Sequence, residues 1–235
     1  MKSSLLIKIY IFSSFYITLV SAKEFDNKSF NLFEPLLENK DWVFDEAIEK
    51  ITISKKSLFE KDLFALKVQK KTLIPPILVQ KVLKDINNYD QFLSNSETIK
   101  SFKLDHSDSW IDAYQNISSN VPFLSDREYC FRISSEKIND RDSKSIIHWY
   151  LLDQNQYDTS TKIKSNDAIY LNFGAGLWLA EKQIDGSNMI SYVVFIDPGG
   201  SIPNFVIEKA NKVSVVTIFE DILNEAGKRL VEVED

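Results

Sequence analysis

Few residues of this chain have the types and spacing that catalysis or metal binding would need. Its two histidines are His106 and His148. His106 lies between Asp105 and Asp108, a spacing that could hold a metal, but so polar a run is typical of a turn. His148 alternates with apolar residues on a predicted strand, as a core histidine would. We find no nucleophile-elbow pattern and no paired histidines on one helix face, so the sequence predicts no enzyme.

The single cysteine, Cys130, allows no disulfide bond within the chain. Stability must therefore come from burial of apolar side chains. A nucleophilic thiol would need a neighbouring base and an electropositive setting, which one sequence cannot show. We expect Cys130 to be a small buried apolar residue.

Charge and the N-terminal segment indicate the class of protein. The chain has 28 basic and 34 acidic residues, a formal net charge of −6, which argues against nucleic acid as a partner because phosphate contacts need clustered Lys and Arg. Residues 1–22 combine Lys2 and Lys8 with an apolar run and end in Val20-Ser21-Ala22, as an export signal does. We expect a cleaved signal peptide, one mature domain at 23–235, and a periplasmic or secreted protein. An uncleaved signal anchor is the alternative.

The remaining sequence predicts an order of helices and strands. Helical spacing of apolar residues predicts a short helix at Ser29–Lys40, a second from Pro75 to about residue 93, and a long one from Pro203 to Arg229. Two short β-prone runs, Ile51–Ile53 and Leu63–Val68, favour an antiparallel pair. Further strands are predicted at 99–104, 109–117, 127–138, 145–153, 167–183 and 188–197, with a hairpin turn at Asp185-Gly186.

This order predicts an α+β fold in which a curved antiparallel sheet wraps around the long C-terminal helix. Such a sheet leaves a gap beneath the helix unless large side chains fill it, and gaps of this kind bind small molecules.

The segment Asp197-Pro198-Gly199-Gly200-Ser201-Ile202-Pro203 joins the last strand to the last helix. Pro198 ends the strand, two glycines permit unusual backbone angles, and Ser201 is a candidate N-cap with Pro203 in the first turn. Any corner between a strand and a helix could use these residues. Neither this segment nor Gly174-Ala175-Gly176 has the lysine of a phosphate-binding loop.

The corner also resembles that of the START lipid-transfer domains of the helix-grip, Bet v 1-like superfamily, which commonly carry D-P-G-G-S-I-P after a strand with a Tyr where Tyr192 stands. The segment Val121 to Tyr129 resembles another START segment, although Phe123 replaces the usual Trp, and Gly176-Leu177-Trp178-Leu179 resembles the family's G-x-W strand. The resemblance covers about residues 30–228.

The resemblance implies a monomeric domain that holds a lipid or another apolar molecule in a deep tunnel, without a cofactor, and touches a membrane transiently. The residues expected to bind the ligand are Arg132, His148, Tyr170, Phe173, Trp178, Tyr192, Val194, Ile202, Phe205 and Val206. The residues expected at the mouth or to act in gating are Pro122, Phe123, Leu124, Gly199 and Gly200. We expect the glycine pair to let the last helix tilt.

Several alternatives stay open at this point. Arg132 could face inward beside a carboxylate or a polar head group, or outward into solvent. The large aromatic residues could line a cavity or fill it. Enzymes of the same superfamily, such as cyclases and aromatases, share the fold, and an interaction protein could have a collapsed cavity.

Overall fold

The computed structural model describes residues 28–58, 63–94, 98–118, 125–135, 144–157, 168–200 and 204–234. In this part of the chain, ten strands form one sheet. They are β1 (Val43–Ile48), β2 (Ile51–Ser57), β3 (Phe64–Thr72), β4 (Ile99–His106), β5 (Trp110–Ile117), β6 (Arg127–Ser135), β7 (Lys144–Leu151), β8 (Ile169–Tyr170), β9 (Gly174–Lys182) and β10 (Asn188–Ile196). Their order is β1-β2-β3-β10-β9-β7-β6-β5-β4, antiparallel throughout, while β8 pairs in parallel with the start of β6.

Four α-helices accompany the sheet in the described ranges. They are α1 (Phe33–Leu37), α2 (Pro76–Lys84), α3 (Tyr89–Phe92) and α4 (Asn204–Glu234), with 3-10 turns at Phe30–Leu32, Ile86–Asn88 and Gln154–Gln156. None of the described helices combines the length and apolarity that crossing a bilayer requires.

The helix predicted from Pro75 to residue 93 is broken in the structure. It begins as predicted, with Pro76 in the first turn, but Asp85 leaves the helical region with φ −86° and ψ 49°. The Asp85 carboxylate accepts a bond of 2.8 Å from the side-chain amide of Asn88. Such local bonds compete with the helical ladder, so the chain turns before α3 begins.

The predicted strands are present, with changes at two places. The antiparallel pairing of β2 with β3 is confirmed, as is the β9–β10 hairpin. The strand predicted at 167–183 is two strands, because the chain leaves the sheet between Tyr170 and Gly174. Strand β1 was not predicted: it lies at the sheet edge and its mixed exposure gives no regular alternation.

The two faces of the sheet bury different sets of residues. The inner face packs against α2, α3 and α4, and its core includes Ile53, Val68, Trp178 and Phe219. The outer face is covered by the Phe30–Leu32 turn and α1. The predicted fold class is therefore correct: a curved antiparallel sheet with the C-terminal helix on its concave, inner face. The predicted signal at 1–22 lies outside the described residues.

Candidate functional site

A cavity of about 340 Å³ lies between the inner face of the sheet and α4. That volume is near the lower end of the range for small-molecule pockets, about 300–1,000 Å³. Its wall is mainly apolar and aromatic. The sheet contributes Gln115, Ile117, Arg127, Tyr129, Phe131, Ile133, Trp149, Trp178, Tyr192, Val194 and Ile196, and α4 contributes Ile207, Ala210, Asn211, Ser214, Val215, Ile218 and Ile222.

Aromatic rings form one part of this wall. Trp178 stacks on Tyr192, with ring centroids 4.4 Å apart, and on Phe219 of α4 at 5.6 Å. Phe131 meets Trp149 edge to face at 6.5 Å. These rings fill part of the gap beneath α4, yet the cavity beside them stays open, so cavity lining and core filling are both realised here.

Gly176 makes room for one of these rings. A Cβ atom at this position would lie 2.5 Å from the Trp149 indole, well inside the contact distance. Gly176 pairs with Trp149 across β9 and β7, so the indole lies flat against bare backbone. The sequence analysis noted Gly176 as part of a motif but missed this packing role.

The tyrosine hydroxyls in the wall are held by hydrogen bonds. Tyr89 donates to the carbonyl of Leu83 at 2.7 Å, and Tyr129 donates to the side-chain oxygen of Gln115. Burial raises the pKa of Tyr89, Tyr129 and also Tyr192. These groups therefore stay neutral and cannot act as charged bases at ordinary pH.

Arg127 is the cationic group in the cavity wall. It is the first residue of β6, and its side chain is 9% exposed. Its guanidinium donates to the carbonyls of Ser125, of Pro198 at 3.2 Å and of Gly199 at 3.5 Å. Burial lowers its pKa, while the charge of Asp126 acts in the opposite direction. The sequence analysis placed Arg127 in a motif without assigning it to the cavity; the alternation Arg127, Tyr129, Phe131 was the available signal.

Three predicted ligand-binding residues lie in the cavity wall: Trp178, Tyr192 and Val194. Two predicted gating residues, Gly199 and Gly200, lie at the corner beside Arg127 with φ of +62° and +73°. These angles explain why glycine stands at both positions.

Four other predicted ligand-binding residues lie on the outer face, and the expectation for them is corrected. Strand alternation places Arg132 beside Asp112, to which it donates bonds of 2.6 and 2.8 Å. The ring of His148 meets Phe33 of α1 at 4.8 Å. Tyr170 donates to the carbonyl of Leu152 at 2.9 Å, and Phe173 packs on Phe195 at 5.8 Å.

Arg132 thus follows neither sequence interpretation, because it is largely covered and paired with Asp112 yet faces away from the cavity. The remaining predicted residues cannot be placed. Pro122, Phe123, Leu124 and Ile202 lie outside the described residues, and for Phe205 and Val206 only the backbone of α4 is described.

A second groove, of about 570 Å³, lies between β1 and the outer side of α4. It is more open and lined by charged residues, including Glu46, Glu208 and Lys212. Lys212 pairs with Glu46 at 2.9 Å and Lys55 with Glu208 at 3.0 Å, which ties α4 to the first strands. The groove lacks the enclosed apolar wall of a ligand site. No group of three or more metal-ligating side chains occurs among the described residues.

Comparison with known proteins supports the same fold. No family model and no curated protein sequence matches the chain. Among solved structures, the STAR-related lipid transfer protein of Xanthomonas axonopodis is 16% identical, with a TM-score of 0.67 over 80% of this chain and 99% of that one. Human STARD10 is 17% identical, with a TM-score of 0.68 over 90% of this chain and 81% of that one. Human StAR-related lipid transfer protein 5 is 8% identical, with a TM-score of 0.61 over 84% of this chain and 92% of that one.

Proposed function

We propose that this protein, which has the helix-grip fold of the START domains, binds a lipid in the inner-face cavity and carries it without changing it chemically. The observation that carries the proposal is the mainly apolar cavity of about 340 Å³ beneath α4. The solved structures with this fold include two StAR-related lipid transfer proteins and human STARD10, which supports a lipid as the ligand.

Burial of apolar surface provides the driving force. A ligand that removes about 300 Å² of apolar surface from water gains about 7 kcal/mol before the entropic cost of binding, at ~25 cal/mol per Å². The aromatic rings of Trp149 and Trp178 supply rigid contact area, so little side-chain entropy is lost when the ligand enters.

The composition of the wall supports binding without catalysis. Its titratable side chains, within the described residues, are those of Arg127 and three tyrosines. His148, the residue that could have served as an acid or base, contacts α1 on the other face of the sheet. A cyclase or aromatase reaction would need a proton acceptor facing the ligand.

Native mass spectrometry of the purified protein, followed by organic extraction, tests the proposal. We expect an apolar molecule retained at close to one per chain. Val215→Phe projects a larger side chain from α4 into the cavity and should lower this amount. Val213→Phe is the matched control, because Val213 is 59% exposed on the opposite side of the same helix. Protein that is repeatedly empty, or equal retention by both variants, would contradict the proposal.

Ligand exit needs an opening, and we place it at the Gly199–Gly200 corner. Alanine is strained at positive φ, whereas asparagine tolerates it, so Asn is the informative replacement. Gly199→Asn, whose new Cβ would contact the side chains of Ile169 and Leu171 and not that of Arg127, should slow lipid transfer between vesicles without reducing the bound pool. An unchanged transfer rate would contradict the proposal that the ligand leaves by an opening at this corner.

We further propose that the protein is exported, on the composition of residues 1–22. Intact mass measurement of the protein from its own cells should show cleavage after Ala22. A mass that includes Met1–Ala22 would favour the anchored alternative.

A further inference from the structure

Arg127 has hydrogen-bonding capacity that the described part of the protein does not use. A guanidinium has five N–H groups. Three of them donate to the carbonyls of Ser125, Pro198 and Gly199. For the other two, no acceptor is present among the described residues.

Within the described ranges, the charge of Arg127 also lacks an ion-pair partner. No carboxylate lies within ion-pair distance of its guanidinium in the described ranges, and the neighbouring Asp126 affects it only through its longer-range charge. A buried cation that lacks a counter-ion costs several kcal/mol, and carbonyl oxygens offset this only in part.

Arg132 lies five residues further along β6, and its partners can be compared with those of Arg127. Its side chain is 12% exposed, and its guanidinium binds both oxygens of Asp112, which is fully buried. The chain thus supplies a complete carboxylate partner to the arginine on the outer face. For Arg127, which faces the cavity, the described residues supply main-chain oxygens alone.

The cavity has a polar end and an aromatic end. Arg127, Ser125, Pro198 and Asn211 lie where the corner leads into α4. Away from this corner, β6, β7, β9 and β10 contribute the rings of Phe131, Trp149, Trp178 and Tyr192. A volume of about 340 Å³ fits one acyl-sized tail more readily than two.

We propose that the cavity takes an amphiphile with a single apolar tail and an anionic oxygen head group, and that the head group binds the Arg127 guanidinium. The tail lies along the aromatic end, and the anion accepts hydrogen bonds from the two N–H groups for which the described residues offer no acceptor. The inference rests on the proposed function and adds the chemical class of the ligand.

Matched ligands test the inference by isothermal titration at pH 8. Hexadecanoate and hexadecanol have the same tail and differ in charge, while hexadecanoyl lysophosphatidate separates a phosphate from a carboxylate head group. We expect an anionic ligand to bind at least about tenfold more tightly than the alcohol, as for a hydrogen bond to a charged group. Whichever anion binds more tightly identifies the head group.

Two variants assign the preference to Arg127. Arg127→Gln retains amide donors for the neighbouring carbonyls but removes the charge, and it should bring the affinities of hexadecanoate and hexadecanol within about twofold. Arg127→Lys retains the charge and should preserve most of the preference.

The outcomes separate this inference from the proposed function. Equal affinity of the wild-type protein for acid and alcohol would overturn the head-group inference and leave lipid binding intact. Binding of none of the three ligands would overturn both. A charge preference that persists in Arg127→Gln would overturn the assignment to Arg127.

Discussion

The two faces of this sheet are built from alternate residues of the same strands, yet the outer face is closely packed and the inner face borders a cavity. On the outer face, Tyr114, Tyr150 and Leu177 are fully buried against their neighbours and α1. On the inner face, α4 stands off from the strands and the cavity remains between them. Solid packing fixes the sheet from one side, and incomplete packing on the other leaves room for a ligand.

Polar groups differ between the faces in the same way. On the outer face Tyr114 donates to the buried Glu128 at 2.8 Å, and Asp112 binds Arg132 through both oxygens. On the inner face Arg127 has only carbonyl partners among the described residues. The comparison teaches that a polar group satisfied within the protein stabilises the fold, whereas one left incomplete in a cavity is available for recognition.

The largest expected effect is loss of stability when the outer-face ion pair is broken. Asp112→Asn leaves the buried Arg132 charge without its carboxylate and should lower the free energy of unfolding by about 3 kcal/mol. Urea denaturation measures the change. Lys40→Gln, which removes one partner of the exposed pair with Glu38, is the control and should have no measurable effect. A loss as small as that of the control would mean that the outer face is not closed as described.

Two adjacent valines compare the packing of the faces directly. Val193 is 1% exposed on the outer face, and Val194 is 5% exposed in the cavity wall. Val193→Ala creates a new void and should cost about 2 to 3 kcal/mol, whereas Val194→Ala enlarges an existing space and should cost about 1 to 2 kcal/mol. Only Val194→Ala should alter ligand retention. A larger loss of stability for Val194→Ala than for Val193→Ala would contradict the closer packing of the outer face.

A substitution at Gly176 tests whether the missing side chain there makes room for the Trp149 indole on the inner face. Gly176→Ala places a methyl group against the Trp149 indole, so the ring must shift. We expect a cost of about 1 to 3 kcal/mol and less retained ligand, checked by thermal denaturation and extraction. Gly227→Ala, within α4, is the control. Outside the helix's own turns, the nearest atom to its new Cβ is Cδ1 of Ile74 at 3.8 Å, an ordinary contact, so this variant should stabilise by about 0.5 to 1 kcal/mol.

The smallest expected effect is the unreactivity of Cys130. The side chain is 1% exposed on the outer face, and burial raises the pKa of its thiol to about 11. The thiolate that reacts with labelling reagents is therefore scarce at pH 8. We expect no labelling by a maleimide in the folded protein and complete labelling in urea. Rapid labelling without denaturant would show that the outer face opens.

Sequence reasoning predicted most of the fold because local patterns determine it. Alternation identified the strands that carry Trp178 and Tyr192, and the apolar period identified α4. It missed β1, whose exposed edge position leaves no regular pattern, and the break at Asp85, which depends on a local side-chain bond.

The site was harder to predict for a physical reason. Alternation shows that Phe131 and Arg132 face opposite ways, but which face turns inward depends on where α4 packs, and that contact lies far away in the sequence. The same limit explains why, of two residues predicted to bind the ligand, Trp178 lies in the cavity wall and His148 lies on the outer face. The partners of Arg127 come from Ser125 and from Pro198 and Gly199 near α4, so no local pattern predicts them.

The most direct test of the account is quenching of tryptophan fluorescence by a fatty acid brominated in mid-chain. Variants that retain only Trp178, in the cavity wall, or only Trp110, stacked under Arg132 on the outer face, report on the two faces separately. The account predicts saturable quenching of the Trp178 protein and none of the Trp110 protein. Equal quenching of both, or quenching of Trp110 alone, would contradict the claim that the inner face holds the ligand.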